Sequence, residues 1–110
     1  MAANSDIVIT DNRSDGQFEA RIDGALAGVV EYELSDDIIT LTHTRVFDEF
    51  GGRGVGGALA REALDAIRAD GTRKVAPHCP FIAGWIDKHP EYADLEAENA
   101  RGDGDDGDDD

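Results

Sequence analysis

The sequence predicts an α+β fold, with a mainly antiparallel sheet of about five strands, one main helix and a short C-terminal helix. Three observations support this prediction. Short β-branched or alternating segments separated by turn residues fill the first half of the 110-residue chain. After position 55, apolar residues recur at helical spacing. The length suffices for one hydrophobic core but not for two, so we expect a single domain over residues 1–95.

The first four predicted strands follow one another as an antiparallel meander. Residues 12–16 are rich in turn formers and end the first strand. Asp23-Gly24 is a strong signal for a two-residue hairpin between the second and third strands. The predicted strands cover residues 6–10, Gln17–Ile22, Ala25–Leu34 and Ile38–Val46.

The second half of the chain predicts two helices and one further strand. The main helix runs over Val55–Asp70, and Gly71 is a suitable C-terminal cap. A short strand over residues 73–76 ends before Pro77. The second helix, Pro80–Lys88, begins at a proline, which suits a first helical position. The inward positions predicted for the main helix are Val55, Leu59, Ala63, Ala66 and Ile67.

The charge of the chain limits its partners. Acidic residues outnumber basic ones by 25 to 10, and the formal net charge is -15. Such a surface repels nucleic acid and anionic membranes, so we expect neither as a partner. Residues 96–110 predict a solvated, disordered acidic tail, because they offer too little apolar surface to bury. The abundance of Asp predicts a halophilic, salt-adapted surface, and an ordinary acidic protein is the alternative.

Cysteine usage and hydropathy predict a cytoplasmic protein. Cys79 is the single cysteine, which excludes an intramolecular disulfide and favours a reducing compartment. No stretch reaches the roughly 18 apolar residues of a membrane span, and no export signal is expected. The sequence shows no self-complementary apolar patch, so we expect a monomer or a weak dimer.

A glycine-rich loop between the fourth strand and the main helix predicts an anion site. Backbone amides and the helix dipole both favour a phosphate there. No Lys-Ser or Lys-Thr pair follows, and the preceding sheet is antiparallel, which disfavours nucleotide-triphosphate and dinucleotide loops. We therefore expect the phosphate of a different coenzyme, with a flexible glycine turn as the alternative. The loop consists of Gly51, Gly52, Arg53, Gly54, Val55, Gly56 and Gly57.

Three separated motifs give the chain a family resemblance. The chain resembles the small single-domain branch of the GCN5-related N-acetyltransferase superfamily in three places. These are residues 41–46 with the loop at 52–56, residues 79–81, and His89-Pro90-Glu91-Tyr92. The resemblance spans about residues 5–95. It implies a reduced acyl-CoA N-acyltransferase fold, whose sheet splays between its fourth and fifth strands to admit acetyl-CoA.

The resemblance also implies roles for the loop residues. The superfamily loop has Arg or Gln, two residues of any type, Gly, any residue, and then Gly or Ala. Gly54 and Gly56 match its two small positions, whereas Gly51 occupies the Arg or Gln position and removes one side-chain donor. Arg53 could supply charge nearby. Loop amides are expected to hold the coenzyme pyrophosphate, and an amide near Val46 to polarise the acetyl carbonyl.

Two residues are candidate catalytic groups. Cys79 precedes the second helix, where the helix dipole favours a thiolate, and similar members of the branch carry a cysteine there. His43 lies on the strand before the loop and suits a general base at neutral pH. The alternatives are a packed cysteine and a histidine that is hydrogen-bonded within the sheet. Phe81 and Trp85 are interpreted as core, or alternatively as residues flanking the coenzyme arm.

The predicted activity is acetyl-CoA-dependent transfer to an unidentified amine, directly or through an acetylated Cys79. The alternative is a CoA-binding or protein-interaction module with little or no catalysis, since the chain lacks two helices that larger members place after the first strand. Their absence predicts a shallow acceptor pocket, and the acidic surface favours a cationic acceptor. We expect no metal, because His78, Cys79 and His89 are three ligands of uncertain direction.

Overall fold

A five-stranded sheet organises the fold of residues 7–97, the part of the chain that the computed structural model describes. The strands follow one another in chain order across the sheet. The first four are antiparallel and the fifth is parallel to the fourth, so the predicted mainly antiparallel sheet is confirmed. The strands are β1 (Ile7–Asn12), β2 (Gln17–Ile22), β3 (Ala25–Leu34), β4 (Ile38–Val46) and β5 (Lys74–Pro77).

The first strand is longer than the sequence suggested. Asp11 pairs with Phe18 and Asn12 with Gln17, so β1 continues into the segment predicted as a turn. The prediction that the break begins at residue 12 was wrong, because the Asp11 carboxylate accepts a hydrogen bond from the Tyr32 hydroxyl across the sheet. This tertiary contact outweighs the low strand propensity of Asp and Asn.

Two α-helices pack on one face of the sheet. They are α1 (Val55–Asp70) and α2 (Pro80–Lys88), and both match the predicted bounds. Single 3₁₀ turns at Asp48–Phe50 and Pro90–Leu95 were not predicted. The last strand was predicted over residues 73–76, but β5 runs over Lys74–Pro77, because Pro77 at its end needs no N–H for the pairing with Leu41.

The core lies between the sheet and the two helices. Side chains from β2, β3, β4, α1 and α2 form one buried cluster, to which Phe18, Tyr32, Leu41, Leu59 and Ile82 belong. One predicted inward position on α1 was wrong: Ala66 is exposed, whereas Leu64 is buried. The buried stripe of α1 is therefore rotated slightly from the predicted one, since the helix also contacts α2 and the final 3₁₀ turn.

A bulge in β4 changes which side chains face the helices. Glu31 pairs with His43, but the next residue of β3, Tyr32, pairs with Leu41, so Thr42 is an extra residue. The Thr42 hydroxyl donates a hydrogen bond to the Glu31 carbonyl at 3.1 Å. A bulge interrupts the alternation of side chains along a strand, so the faces predicted from β4 periodicity hold only up to Leu41.

Residues beyond the final 3₁₀ turn extend along β5. Glu96 forms a parallel bridge with Val75, and the Ala97 N–H donates to the Val75 carbonyl at 2.8 Å. The predicted tail begins at these two residues. Its remainder, residues 98–110, lies outside the described part of the chain.

Candidate functional site

The glycine loop presents the N-terminus of α1 to solvent. Gly52 and Gly54 have φ angles of 79° and 78°, in the left-handed region that favours glycine. Gly54 is the N-cap of α1, and no side chain caps the first turn. Gly51, Gly52, Arg53 and Gly54 are all exposed. Exposed amides at a helix N-terminus that lacks an acidic cap are suited to holding an anion.

The last two glycines of the loop lie against α2. A Cβ at Gly56 would be 3.1 Å from the Phe81 ring, and one at Gly57 would be 3.2 Å from the Trp85 ring. These glycines therefore let α1 and α2 approach closely, a packing role that the sequence analysis missed. The interpretation of Phe81 as core was wrong, since its side chain is 43% exposed beside the loop.

Trp85 is partly buried and packs against the edge of the core cluster, next to His89 and Arg61. The His89 ring stacks on it at a centroid distance of 3.8 Å, and the Arg61 guanidinium lies 5.7 Å from its centroid. Among the residues that the structure describes, the Trp85 Nε1 atom is a buried donor without a hydrogen-bond partner. This arrangement fixes the position of Arg61 one turn beyond Gly57 on α1.

The pairing of β4 with β5 stops short of the loop, and we call the unpaired edge of β4 beyond it the cleft. This pairing extends from Ile38–Lys74 to Leu41–Pro77, and the Cys79 N–H then donates to the Leu41 carbonyl at 3.0 Å. Further along β4, the Phe47 N–H donates to Ala27 on β3. Because successive N–H groups of a strand point to opposite edges, the Val46 N–H points to the edge from which β5 has diverged. The predicted position of Val46 beside a cleft thus has a backbone donor.

Cys79 lies on the helix side of this cleft. Its side chain is 4% exposed, and its Sγ atom is 3.2 Å from the Thr44 hydroxyl oxygen. Sequence reasoning missed Thr44, because simple alternation from the buried Leu41 predicts that it faces away from the core. The bulge at Thr42 reverses the alternation and turns Thr44 toward the thiol.

His43 lies on the other side of the sheet from Cys79. Its Nδ1 atom is 3.8 Å from the Glu31 carboxylate, and the side chain is 72% exposed. Glu31 alternates with the buried Val30 and Tyr32, so it projects from the face opposite the helices. The structure therefore does not bring the two candidate catalytic residues together. They flank the same stretch of β4 on opposite faces of the sheet.

Arginines next to the loop make different contacts from those elsewhere. Arg13, Arg21 and Arg68 pair with carboxylates at distances of 2.9 to 3.1 Å. Arg68 also lies 5.8 Å from the Tyr92 centroid. Arg45 and Arg61 lie over aromatic rings without a carboxylate partner among the described residues, at 5.6 Å from the Phe47 centroid and 5.7 Å from that of Trp85. A guanidinium held over a ring keeps its N–H donors available for an anion.

A well-defined cavity lies far from the loop, at the C-terminal end of α1. Asp11, Arg13, Asp70 and Arg73 line it together with apolar side chains, and its volume is about 40 Å³. Burial, followed by the hydrogen bond to Asp11, raises the pKa of the nearby Tyr32 to about 12. The charged groups around this cavity already have partners, since Arg13 donates to Asp11, the Thr72 hydroxyl donates to Asp70, and Arg73 donates to the Ser35 carbonyl. The loop end of α1 is exposed instead.

Residues 7–97 contain neither a metal-binding cluster nor a membrane-spanning helix. No set of three or more His, Cys, Asp or Glu side chains is placed to hold a metal ion within this range. His89, one of the three residues considered as zinc ligands, stacks on Trp85. No helix in the described part of the chain is both long and apolar enough to cross a membrane.

Comparison with known proteins identifies the class of protein that this fold and cleft define. A family model described as GCN5-related N-acetyltransferase matches residues 17–95. The chain therefore belongs to this family, and the resemblance drawn from its motifs is confirmed. It is also 30% identical to "Protein NATD1" from Xenopus tropicalis over 92 residues, which cover 82% of this chain and 84% of that protein.

Proposed function

We propose that this chain transfers an acetyl group from acetyl-CoA to an amine. The observation that best supports the proposal is the cleft between β4 and β5, which lies beside the amide-presenting glycine loop. Membership of an N-acetyltransferase family makes acetyl-CoA the expected acetyl donor. The combination suits a ligand with a pyrophosphate, a long narrow arm and a reactive end.

Coenzyme binding would use the loop and its neighbours. The N–H groups of Gly52 and of residues 54–57 would bind the pyrophosphate, helped by the exposed Arg53 side chain, whereas the Gly51 and Arg53 N–H groups donate to Asp48 and Phe50 within the loop. Phe81 would flank the arm, since its ring lies over Gly56 at the mouth of the cleft. Acetyl-CoA supplies an activated acetyl carbonyl as a thioester, and the Val46 N–H is the donor placed to polarise it.

Transfer requires the amine to lose a proton and to bond to the acetyl carbon. His43 would accept the proton from the acceptor's ammonium form, the new C–N bond would form, and the C–S bond would break. The departing sulfur would leave as the thiol after receiving a proton from Cys79, and Cys79 would be reprotonated by the second proton that the nitrogen loses as the amide forms. Direct transfer is the simpler route, because Cys79 is buried and engaged by Thr44. An acetylated Cys79 is the alternative route.

The test is consumption of acetyl-CoA with a panel of amines, followed by mass spectrometry of the protein. We expect acetylated amine to accumulate and no covalent acetyl group on Cys79. Cys79→Ala should slow transfer by about tenfold or more if the thiol donates a proton. Thr44→Val is the matched control, because it removes the partner of the thiol and leaves the thiol itself. Undiminished transfer by Cys79→Ala would exclude an essential role for Cys79.

The second candidate is a CoA-binding module that does not catalyse transfer. It is favoured by Gly51 at the Arg or Gln position and by the short connection between β1 and β2, where a turn of residues 13–16 stands. Calorimetric titration with CoA, run beside the activity assay, separates the two. Coenzyme that binds but is never consumed with any amine would support the module.

The acceptor, the compartment and the salt response remain predictions. A cationic acceptor such as a polyamine or a lysine-rich protein segment suits the acidic chain, whose formal net charge is -15. A cytoplasmic, halophilic protein should become more stable as KCl rises from dilute buffer to molar concentrations. Equal unfolding free energy across the salt series would contradict the halophilic prediction.

A further inference from the structure

The bulge at Thr42 changes the face of the sheet on which the following β4 side chains lie. Before it, Leu41 faces the core, and after it Thr44 faces the core again, only three residues later. His43 is therefore turned to the opposite face of the sheet, which we call the open face because both helices pack on the other one. Bulges are over-represented beside active sites because they re-aim side chains in this way.

Glu31 is the residue directly opposite His43 on the open face. The two are cross-strand partners, and the Glu31 carboxylate is 3.8 Å from His43 Nδ1. The backbone of Glu31 also anchors the bulge, since its carbonyl accepts the Thr42 hydroxyl. Glu31 therefore contacts both His43 and the bulge that orients His43. A carboxylate beside one ring nitrogen leaves the other, Nε2, to exchange a proton with a ligand.

We propose that Glu31 is a positioning residue for His43, and that the acceptor amine reaches the cleft from the open face of the sheet. This inference rests on the proposed acetyl transfer. On the helix side Cys79 is buried, whereas His43 and Glu31 are accessible on the open face, so an acceptor that reaches His43 approaches from the open face.

The arrangement separates the two proton transfers of the reaction. On the open face, His43 Nε2 takes one proton from the acceptor ammonium, and Glu31 stabilises the imidazolium that forms. On the helix side, the departing sulfur gains its proton next to Cys79. One proton is released for each amide formed, because the ammonium supplies two and the thiol retains one. Separate faces keep the base from neutralising the acid.

Other charged groups lie near His43 and Glu31 on the open face. Arg45 is two residues beyond His43 on β4, and Glu33 is two residues beyond Glu31 on β3. On β2, Glu19 is engaged by Asn12, Gln17 and Arg21. Glu33 is exposed and pairs with Thr40 rather than with His43, so it offers a matched control for removal of one negative charge.

The experiment measures kcat and KM for acetyl transfer in the full chain and in Glu31→Gln and Glu33→Gln. We expect Glu31→Gln to lose about three- to tenfold in kcat/KM and Glu33→Gln to lose less than about twofold. The loss in Glu31→Gln should fall on kcat with KM for the amine unchanged, because orienting the base affects the chemical step rather than amine binding. CoA affinity by calorimetry should match the parent chain in both.

A double variant shows whether Glu31 acts through His43. In the His43→Ala background, Glu31→Gln should cause no further loss of rate, because the residue it positions is gone. A further loss of the same size would overturn the inference, as would identical behaviour of Glu31→Gln and Glu33→Gln in an active enzyme. Neither of these outcomes would contradict the proposed acetyl transfer. A chain that binds CoA and acetylates no amine overturns both the transfer and this inference.

Discussion

Both ends of α1 have a glycine in the left-handed conformation, but the surroundings of the two glycines differ. Gly54 at the N-terminus and Gly71 at the C-terminus both adopt left-handed φ angles, of 78° and 74°. At the C-terminal end, the Gly71 N–H donates to the Ile67 carbonyl, and the Asp70 carboxylate accepts a hydrogen bond from the Thr72 hydroxyl. At the N-terminal end, the first turn has no side-chain cap and the preceding residues are exposed.

This difference separates structural from functional glycines. A helix end whose backbone groups are satisfied within the protein contributes to stability, whereas an end that presents unsatisfied donors is available to a ligand. A left-handed glycine is required at both ends for the same steric reason. Only its surroundings indicate which role it has.

The largest expected effect is a loss of stability at Gly28 on β3, the strand against which the N-terminal end of α1 packs. At Gly28, a Cβ would be 2.8 Å from the Arg45 carbonyl oxygen and 3.0 Å from Val55 Cγ1. Gly28→Val should lower the free energy of unfolding by about 3 kcal/mol, because β4 or α1 must move. Urea unfolding measures this. A loss below about 1 kcal/mol would mean that the contact is easily relaxed.

At the C-terminal end, we expect alkaline sensitivity without a functional consequence. Burial and the bond to Asp11 raise the pKa of Tyr32 from 10 to about 12, so its neutral form is favoured in the fold. The resulting stability is fully present below pH 10 and is lost as pH rises toward about 12, on the order of 2 kcal/mol. Unfolding measured across this range should show the loss, and Tyr32→Phe should reduce that pH dependence to the part that comes from Tyr92, whose pKa is also raised by burial and by the hydrogen bond to Asp65.

A matched pair of alanine substitutions compares the two ends directly. Gly54→Ala and Gly71→Ala should each cost about 1 kcal/mol of stability, because alanine is strained at a positive φ and neither position has a close steric neighbour. Only Gly54→Ala should weaken CoA binding, by about tenfold, since it distorts the loop amides. Equal CoA affinity in the two variants would remove the loop from the binding site.

The smallest expected effect is a gain in stability. Gly84 lies within α2, and a Cβ there would meet no atom within 4 Å. Gly84→Ala should therefore stabilise the chain by about 0.5–1 kcal/mol through helix propensity alone. Gly57→Ala is the comparison, because its Cβ would press on Trp85 and should cancel the gain. A destabilised Gly84→Ala variant would point to a role for this glycine that its contacts do not indicate.

Local signals in the sequence were sufficient for the elements of the fold. Asp23 and Gly24 both have positive φ angles, as the predicted two-residue hairpin requires. Gly71 caps α1 and Pro80 begins α2, each for a reason confined to its own backbone geometry. These predictions were correct because the forces that decide them act within a few residues.

Tertiary contacts decided the faces of the candidate site. The bulge at Thr42 depends on pairing between β3 and β4, and it alone turns Thr44 toward Cys79 and His43 toward Glu31. Phe81 is exposed because α1 packs against α2 through Gly56, which no pattern in either helix shows.

By itself, then, the sequence determined the order and type of the elements, the glycine loop and the family motifs, because each is encoded by neighbouring residues. The position of each catalytic candidate relative to the cleft depended on a one-residue shift between strands that are distant in the chain. A shift of that kind leaves no trace in local propensity, since it arises only when two strands pair.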